Sequence, residues 1–216
     1  MTLWGAVIVI HGYHLILPAY GFWLPNDPRG SWSEAVRKWE LVRFGSARKT
    51  IERRSLDSLS ERELASREAA KRVLRYPPVH FSGTQSQAIA AGFAQRAARS
   101  NYTLWACAIL PEHTHLVVAR HTYIAERIAI QLKAAATREL MSRSLHPFAQ
   151  FAKPGRTPPK MWAANHWKVY LDSEESIVNA IQYVNANPQR EHLPSQHWSF
   201  VAPFQGLLPG GWITYH

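Results

Sequence analysis

The chain has 216 residues, enough for one substantial core and short of what two full domains need. Hydrophobic residues make up 46% and charged residues 19%, which excludes a disordered chain, and the single cysteine, Cys107, excludes a disulfide framework and a cysteine zinc site. The lone thiol fits a reducing, cytoplasmic setting, and the net charge of +10 points toward a polyanionic partner without separating nucleic acid from a solvated basic surface.

The N-terminal stretch MTLWGAVIVIHGYHLILPAYGFWL has the hydropathy of a membrane or secretion segment. No Lys or Arg precedes Arg29, however, and His11 and His14 break the apolar run, so residues 6–19 are expected as one or two buried strands and no membrane association is expected. His11 and His14 read as core or strand-end histidines. LPNDPRGSW carries the Pro, Asn, Asp and Gly of an ordered turn. Residues 33–80 are charged, with a helical pattern in SERELASREAAKRVLRY, and are expected as a helical insertion. From Arg29 to Arg75 there are thirteen Lys/Arg against seven Asp/Glu, and from Arg96 to Lys160 ten against three.

Residues 84–99 place Ala and Ile on one helical face. YTLWACAIL and HLVVAR, separated by PEHT, form a hairpin signature. In residues 122–145, Ile124, Ile128, Leu132, Ala135 and Leu140 follow helical spacing, with Arg127, Lys133 and Arg138 mostly off that stripe. KPGRTPPK, 153–160, is a basic, Pro-rich loop. HWKVYL is a strand, and DSEESIVNAIQYVNAN a helix with Asp172 as N-cap and Glu175 three residues on, ending at Pro188. The order strand, helix, strand, strand, helix, strand, helix describes an α+β sandwich of the ferredoxin-like kind. It predicts a central antiparallel sheet of about four strands with helices on one face, plus the insertion, all in one domain spanning 1–216.

Three features could carry chemistry. On a strand, His113 and His115 point to one face, and two neutral imidazoles can hold a divalent ion while leaving most of its coordination sphere open. On the last helix Ile177, Ala180, Ile181 and Val184 form a buried stripe, and Asn179, Tyr183 and Asn187 a second one about 100° round from it. A boundary tyrosine tucked under the sheet would satisfy the same pattern. The basic residues Arg29, Arg127, Lys133, Arg138 and Arg190 are candidate DNA contacts, and nine Trp and eight Tyr offer stacking surface for unpaired bases.

PEHTHLVV followed at a distance by QYVNANPQR resembles the single-tyrosine HUH transposases, in particular the REP-associated tyrosine transposases and their insertion-sequence relatives. That family has a His-hydrophobic-His strand and a later helix ending Tyr-x-x-x-Asn-Pro, here Tyr183 to Pro188. YHLILPAYGFWLPNDPRGSW and HWKVYLDSEESI are similar to further blocks of some members, in the same order. Thr114 stands where the family has an apolar residue, and the residues after Pro188 lack the family's glycine. The resemblance implies that His113, His115 and Asn187 bind Mg²⁺ or Mn²⁺ and that Tyr183 is the nucleophile. It implies nicking and rejoining of single-stranded or hairpin DNA through a 5′-phosphotyrosine link. Some members build each site from two chains, which leaves a homodimer open. The alternatives are a catalytically inactive binder of DNA hairpins and, ranked last, a phosphodiesterase that uses water in place of Tyr183.

Overall fold

The computed structural model describes residues 9–31, 36, 39–48, 54 and 56–207. The chain divides into two compact units: residues up to Pro18 together with those from Phe81 onward, and Ala19–His80. The turn sequence LPNDPRG therefore belongs to the second unit, whose lower boundary lies at 19 rather than 33. The start of the strand expected over 6–19, and parts of the 33–80 segment, lie outside the described residues.

In the first unit, β1 (Gly12–Pro18), β2 (Leu104–Ile109), β3 (His113–Ala119) and β4 (Trp167–Leu171) form an antiparallel sheet in the order β2-β3-β1-β4. With the helices α3 (Gly83–Ser100) and α4 (Ala125–Ser142) as the two crossovers, this is the ferredoxin-like arrangement expected from the element order. Both helices belong where the sequence places them. Ser82 caps α3 in a reciprocal box with Gln85, and Asn101 closes it in the left-handed conformation (φ 52°), which a short polar side chain tolerates. The two helices meet at Gly92, where an added Cβ would stand 2.8 Å from backbone atoms of Ala135 and Ala136.

Every residue of β1, β2 and β3 is buried, so both sheet faces are covered. One face carries Leu15, Leu17, Cys107, Ile109, Leu116 and Val118 and lies under α3 and α4. The other carries Ala106, Ala108, Val117 and Ala119, against which the last helix, α5 (Glu174–Arg190), packs Ile177, Ala180 and Val184. The crossover helices thus share one face, and α5 packs on the opposite one, together with Phe204 and Leu207.

Two details of α5 differ from expectation. Its N-cap is Ser173, paired with Ser176 in a capping box, one residue later than Asp172. Nor does Pro188 end it: the helix runs two residues further, and the Glu191 N–H closes it on the carbonyls of Asn187 and Pro188. Pro188 stands in the last turn, where it removes its own N–H bond, and its side chain is buried.

The second unit contains α1 (Trp39–Val42) and α2 (Glu61–Arg72), the latter capped by Ser60 and Glu63. Its two ends are tied by the Val79 N–H donating to the Tyr20 carbonyl. Among its described residues, an apolar cluster is formed by Leu24, Leu41 and Ala70 with Val36, Phe44, Val73 and Leu74 against them. No described helix of either unit is long and apolar enough to cross a membrane.

Candidate active site

Strand pairing brings three histidines onto the α5 face. His14 lies opposite Val117, Ile16 opposite His115, and Pro18 opposite His113, so His14, His113 and His115 all point the same way. His14 and His115 are diagonal neighbours across the β1–β3 pair, within reach for ring side chains. Their rings meet with His14 Nε2 2.9 Å from His115 Nδ1, and His113 Nε2 stands 2.9 Å from His115 Nε2. All three are buried.

The α5 helix lays Tyr183 beside this chain of imidazoles. Its ring centroid is 5.6 Å from that of His115 and 5.7 Å from that of His14, both in edge-on geometry. At 42% exposure the phenol remains open to an incoming ligand. Seven residues on, the Arg190 guanidinium lies 5.2 Å from the Tyr183 ring centroid, placing positive charge against the aromatic face. Asn187, one turn past Tyr183, continues the buried stripe of Ile177, Ala180 and Val184 while Asn179 is exposed. The amide Nδ2 of Asn187 is buried with no hydrogen-bond partner among the described residues.

These groups fit a divalent ion on two counts. Adjacent ligands on an octahedral ion, each roughly 2.1 Å from the metal, stand roughly 3 Å apart; the two Nε2 atoms are separated by 2.9 Å. Either a shared proton or a metal ion can occupy the space between their lone pairs. The second count is the orphaned amide of Asn187. Exchanging its O and N, which geometry alone does not distinguish, makes the buried atom an acceptor able to ligate. Among the described residues no group of three His, Cys, Asp or Glu side chains is arranged to hold a metal.

The other basic candidates divide. Arg127 and Arg138 are exposed on α4, with the Arg127 guanidinium 4.0 Å from the Tyr123 ring centroid. Arg190 is exposed at the end of α5. Arg29 and Lys133, by contrast, turn inward and are not surface cations. Arg29 is bound to Asp27 at 2.9 Å inside the second unit, against Phe22 and Trp23. Lys133 is buried, donating to the carbonyls of Ala163 and Asn165 at 2.9 Å each. The helical spacing of α4 had set Lys133 off the apolar stripe; the segment 163–165, folded back to bond Pro18, covers it.

Burial pushes the Lys133 ammonium down from 10.5 to about 8. The folded form therefore binds fewer protons than the unfolded form between those values, and stability is expected to rise with pH from about 8 to 10.5. In Lys133→Met that rise should vanish from pH-dependent urea denaturation, on a lower baseline because two carbonyls lose their donor. An unchanged profile would place the titration elsewhere.

His14 is the site residue that sequence reading passed over. Nothing within YHLILP distinguishes it from a core histidine; its place beside His115 follows from the β1–β3 register, a pairing across 101 positions.

No protein-family model and no curated protein matches the chain. Among solved structures it is similar to a REP-associated tyrosine transposase bound to a REP hairpin, at 12% identity over 93% of this chain and 81% of that one, with a TM-score of 0.45. It is also similar to a protein of Deinococcus radiodurans R1 assigned as a transposase, at 13% identity over 90% of this chain and 100% of that one, with a TM-score of 0.37.

Proposed function

We propose that the protein is a metal-dependent endonuclease and strand transferase acting on single-stranded or hairpin DNA, with Tyr183 as nucleophile. The observation that carries this reading is the half-exposed phenol set edge-on against two of three linked imidazoles. An isolated phenol has a pKa near 10 and is a weak nucleophile at neutral pH, so a tyrosine used this way needs cations around it. Arg190 supplies one. A Mg²⁺ or Mn²⁺ held by His113, His115 and Asn187 would supply the other, neutralising charge on the scissile phosphate.

The residues then divide the work. Tyr183 Oη attacks the phosphorus in line, the P–O3′ bond breaks, and the departing 3′ oxygen takes a proton in place of the one the phenol gives up. The product is a 5′-phosphotyrosine and a free 3′-hydroxyl. Because one phosphoester replaces another, a second 3′-hydroxyl can reverse the step and join strands without ATP. Arg190, Arg127 and Arg138 provide exposed charge for the backbone. Substrate is single-stranded or at a hairpin tip because a phosphodiester within a duplex cannot easily enter such a site.

The test is an oligonucleotide hairpin with single-stranded flanks, labelled at its 3′ end. Incubation with the protein and Mn²⁺ is expected to give a labelled band that survives SDS, and chelation with EDTA to prevent it. Cleavage without an adduct would replace this reading with the water-dependent phosphodiesterase. Salt-sensitive binding without cleavage would replace it with the inactive hairpin binder.

A further inference from the structure

The contact between His14 and His115 constrains which nitrogen of His115 carries the proton. A neutral imidazole has one N–H and one lone pair. If His115 ligates through Nε2, its proton must sit on Nδ1, and that N–H points at His14 Nε2, 2.9 Å away. His14 must then accept, holding its own proton on Nδ1. The opposite tautomer of His115 would aim an N–H at His113 and remove one of the two lone pairs on which a metal depends.

We infer that His14 is a positioning residue, accepting the Nδ1–H of His115 and so keeping the His115 Nε2 lone pair directed at the ion; this rests on the metal reading above. His14 is not a ligand, since it meets His115 on the side away from His113. Partners of this kind, bonded to the far nitrogen of a ligating histidine, fix its tautomer and ring orientation. Carboxylates and carbonyls usually fill the role. Here an imidazole on the neighbouring central strand does, and its edge-on contact with Tyr183 lets one side chain set the spacing of ligand and nucleophile.

Two substitutions separate the hydrogen bond from packing. His14→Phe keeps a ring against Tyr183 and loses the acceptor; His14→Gln loses the ring and places an amide oxygen near the position of Nε2. Mn²⁺ binding to the full chain, measured by titration calorimetry without DNA, is expected to weaken about 10- to 100-fold in His14→Phe. In His14→Gln it should stay within a few-fold of wild type. Equal affinity in wild type and His14→Phe, or a Gln variant as weak as the Phe variant, would overturn the role of His14 while leaving the metal site standing. Failure of the wild type itself to bind Mn²⁺ would instead remove the metal reading and this inference with it. If His14→Phe does not fold, His14→Asn, too short to reach His115, takes its place with the same two outcomes.

Discussion

Tyr183→Phe should abolish the covalent protein–DNA adduct, lowering its yield by at least about a thousandfold, the scale on which loss of a nucleophile is felt. Binding of the same oligonucleotide should change by no more than a few-fold. The phenylalanine ring keeps the edge contacts with His14 and His115 and the face offered to Arg190, all of which involve the ring rather than the hydroxyl. Because Tyr183 is half-exposed, its hydroxyl leaves no buried partner stranded. Thermal unfolding should therefore move by no more than a degree or two. Denaturing gels of the labelled hairpin reaction, run beside an equilibrium binding curve, separate the two effects. Wild-type adduct yield from the variant would put the nucleophile on another residue.

The second large effect is structural. Asp27 accepts hydrogen bonds from the Arg29 backbone N–H at 3.0 Å, from Arg29 Nε and Nη2 at 2.9 Å each, and from Arg67 Nε at 3.3 Å, with all three side chains buried. Asp27→Ala leaves the Arg29 guanidinium in the interior without its carboxylate and takes one of two carboxylates from Arg67, which keeps Glu68 at 2.8 Å. Breaking a buried ion pair from one side costs about 3–5 kcal/mol, because the remaining charge has neither water nor partner. Among the described residues of the second unit, the apolar cluster set against that loss is Leu24, Leu41 and Ala70 with their neighbours. Urea denaturation should show the drop, and limited proteolysis should cut first within residues 19–80. A loss under about 1 kcal/mol would mean that the Phe22 carbonyl, Glu68 and water suffice for the two guanidiniums. By the same logic, any DNA-binding defect of an Arg29→Ala variant would come from unfolding this hub, not from a lost phosphate contact.

The contrast between Arg29 and Arg190 shows what sequence could convey. Both are arginines next to turn-forming residues, and local pattern treats them alike. Arg29 is held in the interior by Asp27, whose carboxylate also binds Arg67, forty residues beyond Asp27. Elements whose signal is local were legible: the PEHT hairpin, the 3.6-residue stripes of α3, α4 and α5, and the strand alternation that puts His113 and His115 on one face. The α5 pattern also placed Tyr183 on the flank of the buried stripe. Asn187, which spacing sets in one row with Asn179 and Tyr183, is buried and continues the packed stripe itself. Features that depend on register or on a distant segment were not legible. His14 needed the β1–β3 alignment, and Lys133 needed the chain at 163–165 to fold over it.

Thr114, between the two site histidines, points to the other side of the sheet, where it lies fully buried opposite Leu17 and Ile109. Its β-branched shape suits the strand, and its identity bears on the opposite layer rather than on the site.

The three histidines stand on β1 and β3, the two strands with neighbours on both sides, whereas Tyr183 rides on a helix that packs Ile177, Ala180 and Val184 against the sheet. A local opening that lifts α5 breaks no ladder hydrogen bond and leaves the imidazole chain assembled. In the proposed chemistry the severed DNA end would thus be carried by the part of the site that costs least to displace. The two histidines of the phosphate grip would remain on the strands, while Asn187, which rides on α5 with Tyr183, would move with the helix. Cutting and rejoining require that asymmetry, since one end must travel while the place where it is resealed persists.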